Sequence, residues 1–179
     1  MRICLFGAGS RNIDKDFLEV GYSLGVEIAK HGHCLVFGGG AEGLMGAVAR
    51  GVYDNDGEII SIYPELMSDF EDLFEDYSKL IITSGMDDRK KNFLKYSDCV
   101  LVTPGGIGTL DEFFEVLTLK KLRLHEKPII IFNYNHFFDK MLDMLNEMID
   151  EGFVDSTNND LFVVTTTVQE TLEYFFLVF

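Results

Sequence analysis

The chain has no tryptophan, only three cysteines and only four histidines among its 179 residues. Cys4, Cys34 and Cys99 are odd in number and lack metal-ligand spacing. Each lies in an apolar run, so they read as reduced thiols of a cytosolic core. His31, His33, His125 and His136 do not cluster, and no metal site is expected. Basic residues are outnumbered two to one: 15 Lys and Arg against 30 Asp and Glu, a formal net charge of −15. A general nucleic-acid binder needs a basic surface to displace counterions, so that class is excluded. A small anion held in one local pocket remains compatible. No apolar run is long enough to span a bilayer, and the N-terminal run stops at Gly7, too soon for a signal peptide. The expected setting is cytoplasmic, with neither nucleic acid nor membrane as partner.

What the chain does have is apolar residues, 47% of the total, with sixteen Phe to make the core aromatic-rich. The length fits one domain over residues 1–179. Short apolar runs recur: RICLF from Arg2, CLVF from Cys34, EIISIY from Glu58, KLIIT from Lys79, DCVLV from Asp98, PIIIF from Pro128 and LFVV from Leu161. Between them lie stretches of helical spacing, such as Phe17, Val20, Leu24 and Ile28 after a turn where Asn12 is placed to cap. Glu65 to Tyr77 is acidic and Phe-bearing, a loop with some helix. Ser84 opens a further helix. Strands that are continuous apolar runs, alternating with helices, predict an α/β fold: a mainly parallel, doubly wound sheet with helices on both faces. Ligands of such sheets bind at the carboxyl ends of the strands, near a switch point.

Three glycine-rich turns follow strands and can meet on that edge. The third, Pro104-Gly105-Gly106-Ile107-Gly108-Thr109-Leu110-Asp111-Glu112, is the most informative. It reads as a tight turn into a helix with Thr109 as N-cap. The free N–H groups of such a start, with the helix dipole, form an anion site. A carboxylate beside a phosphate site points to chemistry. Thr109 to Glu112 is also T-x-x-E, the capping box, so Glu112 has a structural reading beside the catalytic one. Thr167 to Glu170 repeats the pattern without a glycine turn and reads as structural alone. Gly38, Gly40 and Gly43 match the dinucleotide fingerprint G-x-G-x-x-G, but after the second strand instead of the first. Gly43, Gly46, Ala47 and Ala49 suit close packing of helix on sheet. Arg89 and Lys90 flank the stripe of Met86 and Phe93, while Lys91 points away. Arg suits phosphate or carboxylate through its planar fork. Ser10 is placed for a ribose or phosphate contact, and equally for a turn. The acidic residues Asp54, Asp56, Asp69, Glu71, Asp72, Glu75 and Asp76 read as a solvated surface.

These motifs resemble one family. The run from Pro104 to Glu112 matches the PGGxGTxxE signature of the LOG (LONELY GUY) phosphoribohydrolases, often labelled lysine decarboxylases. Gly38 to Gly46 matches the family's GGGxxGLMG block, and Arg89-Lys90 its helix-borne pair. The resemblance implies a Rossmann-like fold and hydrolysis of the N-glycosidic bond of a cytokinin ribotide or AMP, giving free base and ribose 5-phosphate. It implies catalytic Glu112 and Arg89, and substrate contacts from Gly105, Gly106, Gly108, Thr109, Lys90, Gly39, Gly40, Gly43, Met86 and Ser10. It implies no cofactor, a small nucleotide as partner, and a homodimer or larger homo-oligomer. Two departures fall near the base pocket and leave the base open: Met86-Asp87-Asp88 replaces Met-His-Glu, and Leu119 stands where Trp is frequent. A non-catalytic nucleotide or molybdenum-cofactor binder on the same fold is the alternative, and a nicotinamide-dependent enzyme a third.

Overall fold

The structure, a computed structural model, describes residues 1–69, 71–155 and 160–178; Phe70 of the acidic segment lies outside them. The chain alternates β1 (Arg2–Phe6), α1 (Lys15–Lys30), β2 (Cys34–Phe37), α2 (Gly43–Tyr53), β3 (Ile59–Pro64), β4 (Lys79–Thr83), α3 (Met86–Tyr96), β5 (Cys99–Val102), α4 (Ile107–Lys121), β6 (Ile129–Phe132), α5 (Asp139–Asp150), β7 (Val163–Thr165) and α6 (Val168–Val178). The acidic segment opens with a short 3-10 turn over Glu65–Asp69.

The strands form one seven-stranded sheet in the order β4-β3-β2-β1-β5-β6-β7. Every strand pair is parallel. β1, β2, β5 and β6 are buried on both faces, which is why they read as unbroken apolar runs. Side chains of β1 alternate between two cores. Ile3 and Leu5 pack with α1, α2 and α6; Cys4 and Phe6 pack with α3, α4 and α5. The chain runs outward from β1 in one direction and from β5 in the other. The switch point therefore lies between these two central strands, at their carboxyl ends.

Backbone hydrogen bonds lock the turns at that point together. Ala8 N–H donates to the Pro104 carbonyl (3.0 Å), and Met45 N–H donates to the Ala8 carbonyl (3.1 Å). Thr103, fully buried, donates its hydroxyl to the Phe6 carbonyl (3.0 Å).

Three local expectations are corrected. The cap of α1 is Asp14, whose carboxylate accepts from Asp16 N–H; Asn12 instead donates its N–H to Ser10 Oγ (3.2 Å). α3 begins at Met86 after Gly85, not at Ser84. The small-residue packing is chiefly helix on helix: α1 lies on α2 through Gly21, Gly25 and Gly51. A Cβ on Gly25 would overlap the Val48 carbonyl, a backbone group that cannot swing aside. Gly25→Ala should therefore lower stability despite the gain in helix propensity, by about 2 kcal/mol. Thermal denaturation would show a melting point about 4–8 °C lower.

Candidate active site

A cleft of about 270 Å³ opens at the switch point. The turns after β1, β2 and β5 meet there, as the topology requires. Its floor and walls include Ser10, Gly38, Glu71, Arg89, Thr109 and Glu112. The turn after β5 also borders a second cavity of about 310 Å³, walled by Ile13, Phe17, Leu44 and Phe137.

The start of α4 differs from the sequence expectation. Its N-cap is Gly106, in extended backbone and with no capping side chain. Thr109 thus lies inside the first turn, and its hydroxyl packs against Gly105 so closely that a Cβ there would overlap it. The first backbone bond of the turn is Leu110 N–H to the Gly106 carbonyl (3.1 Å). The N–H groups before Leu110 have no carbonyl to bond within the helix, and they carry the positive end of its dipole. Gly106, Gly108 and Thr109 present this end to the cleft. An anion held there would face N–H donors with no competing side chain.

Glu112 is one turn further along α4 and does not cap. Its side chain is 12% exposed, and Oε1 lies 3.9 Å from Arg89 Nη1. Burial pushes this carboxyl up to about 7 from 4.5; the nearby Arg89 charge pulls the other way but is outweighed. The capping-box reading of Glu112 is therefore replaced by a buried carboxyl held near neutrality. The repeat at Thr167 behaves as a true box: Thr167 Oγ1 accepts from Glu170 N–H (3.1 Å), and Glu170 Oε2 accepts from Thr167 N–H (3.3 Å).

Arg89 is 7% exposed, on the inward face of α3. Its Nη2 donates to the Gly38 carbonyl (3.3 Å), and the guanidinium sits over the Phe93 ring at 5.2 Å. Gly38 has to be glycine for this, because a Cβ would overlap Nη2. Nε of Arg89 is buried and has no hydrogen-bond partner among the described residues. Lys90 turns the other way, from the cleft to α4, and pairs with Asp111 and Glu115 at 2.7 Å each. These bridges tie α3 to α4 at the residues adjoining Arg89 and Glu112, so they set the spacing of the two site groups. Lys91 is exposed, as its helical phase required.

Of the residues singled out in the sequence, Ser10, Arg89, Gly106, Gly108, Thr109 and Glu112 share the cleft. Gly105 borders the second cavity. Gly39, Gly43, Met86 and Lys90 stand behind the cleft or beside it instead of on its wall. Gly39 and Gly43 have φ of +84° and +66°, which accounts for glycine at both without a ligand. Gly40 lies against Glu71. Glu71 itself is a correction: it belongs to the cleft, not to a solvated surface. Backbone bonds fold its segment over the second glycine turn. Ala41 N–H donates to the Asp72 carbonyl (2.9 Å) and Phe74 N–H to the Gly39 carbonyl (2.7 Å). Nothing in the spacing of the acidic segment distinguished Glu71 from its neighbours.

The three cysteines are free and buried, and burial pushes Cys34 up to about 11 and Cys99 up to about 12. They are inert core thiols. Among the described residues no group of His, Cys, Asp and Glu suits a metal ion, and no helix is long and apolar enough to cross a membrane.

A family model described as "Possible lysine decarboxylase" matches residues 45–175. Cytokinin riboside 5'-monophosphate phosphoribohydrolase LOG5 of Arabidopsis thaliana is 30% identical over 172 residues, covering 96% of this chain and 75% of that protein. LOG3 of the same plant is 32% identical over 169 residues, 94% of this chain and 79% of that one. In structure, the molybdenum cofactor binding protein of Rippkaea orientalis aligns with a TM-score of 0.74 over 99% of this chain and 96% of its own, at 21% identity. The molybdenum cofactor carrier protein of Chlamydomonas reinhardtii aligns with a TM-score of 0.70 over 97% and 94%, at 22% identity. These two likenesses establish the shared Rossmann-like α/β fold. The matched model, the curated relatives and the run from Pro104 to Glu112 agree that the chain belongs to the LOG family of "possible lysine decarboxylases", whose curated relatives here are named as phosphoribohydrolases.

Proposed function

We propose that the cleft hydrolyses the N-glycosidic bond of a nucleoside 5′-monophosphate, AMP or a cytokinin ribotide, to free base and ribose 5-phosphate. One observation carries this reading. A buried carboxyl held near neutrality, beside a buried arginine, lies one helical turn beyond Gly108 on α4, whose N-terminus has no capping side chain. One turn advances about 5.4 Å, roughly the reach of a phosphorylated ribose from its phosphate to its anomeric carbon. The 5′-phosphate binds the N–H groups of Gly106, Gly108 and Thr109. The anomeric carbon then faces Glu112 and Arg89.

As the C1′–N bond breaks, its electron pair leaves with the base and the sugar becomes cation-like. Glu112, as carboxylate, stabilises that cation and takes a proton from the water that attacks C1′. The departing base nitrogen gains a proton, so the overall balance is one water consumed per bond broken. Arg89 holds the Glu112 charge in place and positions the sugar. A decarboxylase reading would want a lysine for a Schiff base, and among the described residues none lines the cleft.

The phosphate contact is testable with adenosine. Adenine release from AMP and from N6-isopentenyl-AMP should exceed release from adenosine by at least about 100-fold, because charge-assisted bonds to the phosphate are lost. Chromatography of the free base reads this out. Equal rates with and without the phosphate would remove the α4 N-terminus from the site.

A further inference from the structure

We propose that Arg11 leaves two surface carboxylates to clamp the 5′-phosphate of the substrate, as a second cation of the site beside Arg89. The proposal deepens the nucleotide reading of the cleft and rests on it. Arg11 follows Ser10, which lines the cleft and, with Gly106, borders the second cavity too, so the first glycine turn runs beside the start of α4. The backbone there is pinned. Ala8 N–H bonds the Pro104 carbonyl (3.0 Å), and Asn12 N–H donates to Ser10 Oγ (3.2 Å). The Arg11 side chain, in contrast, is 63% exposed. Its Nη2 meets Asp72 Oδ2 at 2.5 Å, and its Nε lies 3.5 Å from Glu42 Oε1. Asp72 adjoins Glu71 in the acidic segment, and Glu42 stands at the N-cap of α2, in the second glycine turn. The guanidinium therefore sits on the rim where three segments of the cleft meet.

The charges of the cleft call for such a residue. Its lining carries two carboxyls, Glu71 and Glu112, against one cation, Arg89. The chain as a whole carries −15. A 5′-phosphate brings about two more negative charges into that field. The N–H groups of α4 meet it with partial charges alone. Arg89 is engaged by Glu112 and the Gly38 carbonyl, and Lys90 by Asp111 and Glu115. Arg11 is held by groups that water solvates well, since the Asp72 side chain is 73% exposed. Exposed ion pairs contribute little to stability, so giving these up costs little. A phosphate fixed on α4 takes two parallel N–H bonds from the planar fork of an arginine and carries more charge than either carboxylate.

Arg11→Ala, Arg11→Lys and Asp72→Asn, each checked for native melting, should be compared with wild type. Three quantities are read: AMP turnover, calorimetric AMP binding, and base release from adenosine. In Arg11→Ala the KM and Kd for AMP should rise about 10- to 30-fold while kcat stays within about threefold, because a charge-assisted bond is lost at the phosphate and not at the reacting carbon. Adenosine, which has no phosphate, should react as it does with wild type. Arg11→Lys should recover part of the affinity, as a point charge without the fork. Asp72→Asn separates a clamp from a strap that merely ties the acidic segment down. A clamp freed of its resting partner binds AMP as tightly as before, or up to about threefold more tightly. A strap that has been cut weakens AMP binding just as Arg11→Ala does. Weaker AMP binding in Asp72→Asn, unchanged AMP binding in Arg11→Ala, or an equal loss on adenosine would each overturn the clamp and leave hydrolysis standing. The expected pattern of AMP affinities without base release by any form would uphold the clamp and overturn hydrolysis. Absence of AMP binding by wild type would overturn both.

Discussion

Glu112→Gln should abolish base release and, at the same time, make the protein more stable above neutral pH. The two effects share one cause. Glutamine keeps the shape of the protonated acid and cannot ionise, so it offers no base to the attacking water. A loss of at least about 1,000-fold is expected for a residue acting on both the water and the sugar cation. For stability, the sign follows from the proton. Folded Glu112 holds its proton up to about pH 7, whereas the unfolded chain releases it near 4.5. Its contribution is full below 4.5, declines as pH rises through 7, and is lost above that. Holding a carboxyl at about 7 instead of 4.5 corresponds to about 3 kcal/mol. Denaturant unfolding should therefore find Glu112→Gln about 2–3 kcal/mol more stable than wild type at pH 8, with the gap closing toward pH 4.5. A variant less stable than wild type at pH 8 would mean that the Arg89–Glu112 pair outweighs the cost of burying the charge, and that Glu112 is a structural anion.

Gly38→Ala should leave the fold intact and lower turnover about 100-fold. The added methyl would overlap Nη2 of Arg89, which is the far end of a flexible side chain and can move. Little stability is lost, but the guanidinium is pushed from the Gly38 carbonyl and shifted relative to Glu112. A displacement of about 1 Å in a positioning group suffices for a loss of that size. Lys91→Ala, on the exposed side of the same helix, should change neither turnover nor AMP binding. Full activity in Gly38→Ala would show that Arg89 does not need its observed position.

The architecture was legible because parallel strands buried on two faces leave no other pattern. RICLF, CLVF and PIIIF each fall on the observed strands β1, β2 and β6, give or take one residue. The phase of Arg89, Lys90 and Lys91 set the first two apart from the exposed Lys91 from spacing alone. What spacing could not separate was the pair of T-x-x-E patterns. Thr167 to Glu170 forms the box, whereas the glycine at 106 puts the N-cap of α4 three residues before Thr109 and turns the same pattern into a buried carboxyl. Helix starts in glycine runs are set by backbone freedom, which side-chain patterns do not record. Lys90 was drawn away by Asp111 and Glu115, a contact between two helices distant from each other in sequence. Glu71 was hidden for a similar reason: the bonds that fold its segment over Gly39 and Ala41 are backbone bonds, and they leave no trace in residue type.

The most direct measurement is the product balance from AMP with purified wild-type protein. Adenine and ribose 5-phosphate are quantified together over many enzyme equivalents. Hydrolysis by this cleft gives the two in equal amounts, with AMP consumed to match. AMP that binds yet stays intact would make the protein a nucleotide or cofactor carrier, and adenosine with free phosphate would place the cut at the wrong bond; either result would contradict the proposed reaction.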